Sequence, residues 1–124
     1  MIKDKSMSSL TLHDAQKRVD QWISQFEEGY FPPLVQIARL TEELGELSRA
    51  VSHETGVKKP KSGEPLHSSA EELGDLLFVL ICFANMQNIS LDEIFEKTMQ
   101  KIETRDTPRW TLKKDFSHVQ NEET

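Results

Sequence analysis

A chain of 124 residues with 36% hydrophobic and 29% charged side chains can bury one core but not two, so a single domain is expected. The net charge of −6 argues against a nucleic-acid polymer as partner, because such binding needs clustered cations to displace counterions from phosphates. The longest apolar run, Leu76 to Ala84, falls far short of the ~20 residues that span a bilayer, and "MIKDKSMSSL" lacks the basic-then-apolar order of a leader. A cytoplasmic protein without a membrane partner is the expectation. The lone cysteine, Cys82, lies inside "LLFVLICFAN", which reads as a buried thiol in a reducing compartment.

In chain order, Thr11 followed by Asp14 marks a capping box, and the first helix is expected from Leu12 to Glu28 with Gly29 as its stop. "FPPL" sets the next start, since proline is tolerated only in the first turn, and the second helix should run from Leu34 to Glu54, ending at Gly56. "TGVKKPKSGEPLH" then carries three lysines, two prolines and two glycines without apolar periodicity and reads as a mobile surface loop. Ser68 with Glu71 opens a third helix, Ser69 to Asn88, and Ser90 with Glu93 a fourth, Leu91 to Arg105, halted before Pro108. The domain is expected over residues 1–106. The tail, 107–124, has no sustained pattern and is expected to be partly disordered, with Trp110 and Phe116 available to dock.

No strand-like alternation occurs, so the fold class is all-α, a four-helix bundle. Leu40, Leu44, Leu47 and Val51 form a stripe on the second helix that should face the core. The third helix is apolar nearly all round from Leu73 to Ala84 and should be covered on most sides. Four helices of one short chain scarcely enclose it, which predicts a homodimer or homotetramer.

The phrase E-E-L-G-E/D-L occurs twice, at residues 42–47 and 71–76. Positions three apart lie about 60° apart on a helix wheel, so Glu43 with Glu46, and Glu72 with Asp75, form two acidic pairs. Asp75 is the single polar side chain inside the apolar run, where a carboxylate without a partner is costly. Four acids from neighbouring helices repel and raise one another's pKa, so a cation is expected among them. An oxygen-only ligand set suits Mg²⁺ or Mn²⁺, and Mg²⁺ usually bridges to phosphates, which points to a nucleotide-like ligand. A di-iron carboxylate bundle needs Glu-x-x-His on helices. The sole match, Glu64 to His67, falls in the Gly/Pro loop. His13, His53, His67 and His118 are scattered, form no ligand set and are expected at the surface.

These motifs resemble the MazG-like nucleotide pyrophosphohydrolases of the all-α NTP pyrophosphatase superfamily, in their short, single-domain YpjD-type branch. The family's E-x-x-E, spacer, E-x-x-D is met by Glu43-Leu-Gly-Glu46 and Glu72-Leu-Gly-Asp75, and the likeness covers residues 12 to 110. The resemblance implies that the four acids hold Mg²⁺ while water attacks the α-phosphorus of a nucleoside triphosphate, releasing a monophosphate and pyrophosphate. Glu46 or Glu42 is then the candidate general base. It further implies that Asn85, Lys101 and Arg105 contact the nucleotide and its phosphates, and Trp22, Phe31 and Trp110 are candidates to stack on the base. The rival reading is a non-catalytic helical module for oligomerisation or nucleotide sensing, which leaves Asp75 without a reason.

Overall fold

The computed structural model describes residues 9–115. It contains α1 (Leu12–Ile23), α2 (Pro33–Glu54), α3 (Ser69–Met86) and α4 (Leu91–Asp106), then a 3₁₀ turn at Thr107–Arg109, with no strand among the described residues. The all-α expectation holds. Phe116, expected to be available for docking, His118, expected at the surface, and the first eight residues lie outside the described residues. Two compact units divide the chain, one ending at Leu91 and the other beginning at Asp92.

In the first unit, Thr11 and Asp14 exchange hydrogen bonds of 3.0 Å in both directions, closing the predicted capping box. The Thr11 backbone N–H holds the Asp14 carboxyl below its usual value. Helix α1 then stops at Ile23, well short of the expected Glu28. Beyond that point the amides turn back by three residues: Gln25 donates to Trp22 O at 3.3 Å and Phe26 to Ile23 O at 3.1 Å. Gly29, with φ +61°, closes this turn rather than the helix.

Helix α2 begins at Pro33 and ends at Glu54, within one residue of the expected span. The Glu54 carboxylate accepts the backbone N–H of Ser69 at 2.7 Å, and that bond holds its pKa down. The end of α2 is thereby fastened to the start of α3, so the two helices run antiparallel. Ser68 accepts from the Glu71 amide at 3.1 Å, the hydroxyl half of the predicted box, while the Glu71 carboxylate lies 3.5 Å from His67 Nδ1. Helix α3 ends at Met86, two residues before the expected Asn88. Asn88 instead takes the left-handed conformation, φ 54°, and Ile89 N donates to Ala84 O at 2.9 Å, so asparagine serves where glycine is usual.

Helix α3 packs against α2 most extensively and against α1 next. The inward face of α2 runs Gln36, Leu40, Glu43, Leu47, Ala50, with its two ends buried and the middle three half-buried. This corrects the expected core stripe, because Leu44 and Val51 are 56% and 42% exposed. They join Ile37 in an outer apolar line at seven-residue spacing. Helix α3 buries Glu72, Val79, Ile81, Cys82 and Ala84 but leaves Leu73, Leu77 and Leu80 exposed, since within its unit only α1 and α2 cover it.

A polar network locks α1 to the end of α3. The Gln16 amide donates to Asn85 Oδ1 at 2.9 Å and to Ile89 O at 2.8 Å, while its oxygen accepts from Leu91 N at 2.9 Å. Asn85 Nδ2 donates in return to Gln16 O at 2.9 Å and to Tyr30 Oη at 3.0 Å. The Tyr30 hydroxyl donates to Asp20 Oδ1 at 2.7 Å, and burial with that carboxylate pushes its pKa up to about 12. In the second unit α4 has no fully buried side chain, and Arg105 clamps Asp106 through two bonds of 2.8 and 2.9 Å.

Candidate functional site

Helix α2 presents Glu43 at the middle of its inward face, and one turn of α3 presents Glu72 and Asp75 opposite it. One carboxylate oxygen from each of these three residues lies within 4.8 Å of the other two. Glu72 is the buried member, at 6% exposure, whereas Asp75 keeps contact with solvent. That corrects the expectation of a desolvated Asp75. The two side chains lie about 60° apart round the helix, so when Glu72 points at α2, Asp75 falls at the margin.

Burial and then the neighbouring charges of Asp75 and Glu72 push the Glu43 carboxyl above its usual pKa, against the opposing pull of Arg39. Three converging anionic oxygens with no sulfur or nitrogen donor fit a small, hard divalent cation, which would relieve that repulsion. Glu46 stands outside the triad, 3.7 Å from Arg49 NH1. Arg49 also lies 3.9 Å from Glu64, whose carboxyl is held below its usual value by the Lys61 backbone N–H. Glu42 is exposed. Beside the triad a cavity of about 190 Å³ is walled by Glu46, Glu72, Arg49, His53 and His67. His53 is half-buried rather than at the surface, and its Nε2 has no partner.

The remaining candidates are dispersed. Asn85 belongs to the Gln16 network just described. Trp22 stands edge-on to Phe26 and Phe78, with centroids 5.0 and 6.0 Å away. The Arg39 guanidinium lies 5.3 Å over the Phe31 ring. Lys101, Arg105 and Trp110 belong to the second unit. Arg39 and Arg49 escaped the reading of the sequence, although each is one turn from an acid of the first motif, the i, i+4 and i, i+3 spacings at which opposite charges meet. Gln16 and Gln36 carry no signal of that kind, being single amides on amphipathic helices.

Comparison with known proteins gives the site its family. The profile of the MazG nucleotide pyrophosphohydrolase domain matches residues 31–110, which contain all four motif acids. YpjD of Bacillus subtilis (strain 168) is 53% identical over 109 residues, covering 88% of this chain and 98% of its own. YvdC of the same organism is 30% identical over 106 residues, 77% of this chain and 96% of its own. The crystal structure of B. subtilis YpjD superposes with a TM-score of 0.68 at 54% identity, covering 77% of this chain and 97% of that one. A Bacillus-conserved MazG protein, a nucleotide pyrophosphohydrolase, gives 0.68 at 49% identity, covering 82% and 99%. With Glu43 of α2 facing Glu72 and Asp75 of α3, the chain belongs to the MazG nucleotide pyrophosphohydrolase domain family.

Proposed function

We propose that the protein hydrolyses (deoxy)nucleoside triphosphates to a nucleoside monophosphate and pyrophosphate with Mg²⁺, or Mn²⁺ in its place, as an enzyme that cleanses the nucleotide pool. The observation that carries this reading is the convergence of Glu43, Glu72 and Asp75 on one point between two helices. Those three residues would hold the cation, with Glu46 reaching in from one turn along α2. The cation supplies neutralisation of the triphosphate and acidification of the attacking water. Glu46, or the exposed Glu42, would take the proton from that water. Asn85, Lys101 and Arg105 would contact the nucleotide and its phosphates, and Trp22 or Trp110 would stack on the base.

The protein would act as a homodimer or homotetramer. The outer line Ile37, Leu44, Val51 on α2 and the line Leu73, Leu77, Leu80 on α3 are exposed apolar rows of the kind a second copy covers. A free Cys82 and a nucleotide substrate both accord with a reducing, cytoplasmic setting.

The test is incubation with a panel of nucleoside triphosphates and Mg²⁺, with pyrophosphate and inorganic phosphate detected separately. Pyrophosphate should appear without free phosphate, and Glu43→Gln or Asp75→Asn should abolish it while circular dichroism stays helical. Full turnover by both variants, or no turnover by the wild type, would leave the non-catalytic module as the better account.

A further inference from the structure

We infer that Gln36 reads the edge of the substrate's nucleobase inside an aromatic cavity, which makes it the base-specificity residue of the site proposed above. The inference rests on that nucleotide reading and adds to it where the base lies and what recognises it.

The cavity measures about 360 Å³, within the ~300–1,000 Å³ usual for ligand pockets. Its walls include Trp22, Phe26, Phe31 and Phe78, with Gln36 and Arg39 contributed by α2. Gln36 is 1% exposed, and its Oε1 is without a hydrogen-bond partner. A buried amide oxygen left unpaired among aromatic rings is destabilising, and proteins keep few such groups. Gln36 lines a cavity of this size, so a ligand bound there meets the residue that carries the unpaired group.

Position along the helix gives the ligand its orientation. Gln36, Arg39 and Glu43 follow one another on one side of α2, and seven residues of helix put Gln36 about 10 Å from Glu43 along the axis. A nucleoside spans that interval, with its phosphates at the acids and its base among the rings. A glutamine amide offers one acceptor and two donors in a plane, and every nucleobase presents an N–H next to an acceptor on its pairing edge. Flat aromatic walls accept any base by stacking, so discrimination among bases falls to the amide.

The experiment is calorimetric titration of the Mg²⁺-loaded protein with AMP, GMP, CMP and dTMP, together with kcat/KM for the four triphosphates. Wild type, Gln36→Leu, Gln36→Met and Glu43→Gln are compared. The wild type should separate the tightest from the weakest monophosphate by about tenfold or more, the scale of one good bidentate base contact. Gln36→Leu should compress that spread to within about threefold and, by removing an unpaired buried amide, should melt at a higher temperature without ligand. Should the leucine variant fail to fold, the near-isosteric Gln36→Met carries the same readouts. An unchanged ranking in the Gln36 variants, no spread or no binding in the wild type, or a lower melting temperature in both variants would each overturn the inference. Glu43→Gln should lose turnover and keep the monophosphate ranking. A Gln36-dependent ranking in a wild type that turns over no triphosphate would refute the proposed reaction and leave the base pocket standing.

Discussion

Replacing Glu43 by glutamine should make the metal-free protein more stable at neutral pH. The perturbation removes one negative charge and keeps the side chain's shape. Glu43 faces Glu72 and Asp75 with oxygens within 4.8 Å, and two unit charges at that distance repel by about 0.9 kcal/mol in water and about 3.5 kcal/mol at an effective dielectric of 20. Solvent at Asp75, attraction to Arg39 and the option of taking up a proton all reduce the sum over both neighbours, so a net gain of about 1–2 kcal/mol is expected. For a chain of this length that corresponds to a rise of about 3–10 °C in melting temperature. The sign with pH follows from the raised carboxyl pKa. The folded chain holds the Glu43 proton to higher pH than the unfolded chain, so this contribution to stability is present below the ordinary value of 4.5 and is lost as pH climbs through the raised one. The gain from glutamine should therefore be larger at pH 7 than at pH 4. The assay is calorimetric melting at fixed protein concentration in EDTA and in excess Mg²⁺. Mg²⁺ should raise the wild-type midpoint and leave the variant nearly unmoved. A variant that melts below the wild type in EDTA at pH 7 would refute the repulsion on which the site rests.

Tyr30 is the single tyrosine, so its ionisation can be followed directly near 295 nm. Half-titration is expected at about pH 12 in the folded protein and near 10 once unfolded, and stability should fall as pH rises between those values. Asn85→Ala should cost about 2–3 kcal/mol by chemical denaturation, because it removes three part-buried hydrogen bonds and leaves the Gln16 amide with Ile89 O and the Tyr30 hydroxyl with Asp20. A double-mutant cycle with Tyr30→Phe, in which the combined loss falls short of the sum of the two, would tie the loss to that network. Leu44→Glu together with Leu73→Glu should shift the sedimentation coefficient to that of a single chain if these faces join copies. An unaltered coefficient above the monomer value would move the interface elsewhere.

The paired acids were legible because the same phrase occurs twice and each copy stands beside apolar positions. Which acid would be buried was not, since Glu72 and Asp75 are separated by only about 60° of helix and packing against α2 decides between them. Leu44 and Val51 read as core because apolar periodicity reports a face hidden from water without saying whether this chain or another hides it. The end of α1 was missed for a related reason: Gly29 is a good stop signal, but the chain had already turned over Trp22 and Phe26. Gln36 was invisible, because an amide's significance lies in the absence of a partner, and absence is a property of three dimensions.

The bond from Ser69 to Glu54 closes the α2–α3 connection at its neck. Register between the helices is fixed there and along their packed faces, so the span from Thr55 to Ser68 is relieved of setting where the acids meet. Natural variation in the length of that segment before Glu64, or a grafted peptide there, is then free to accumulate while the chemistry beneath stays in place.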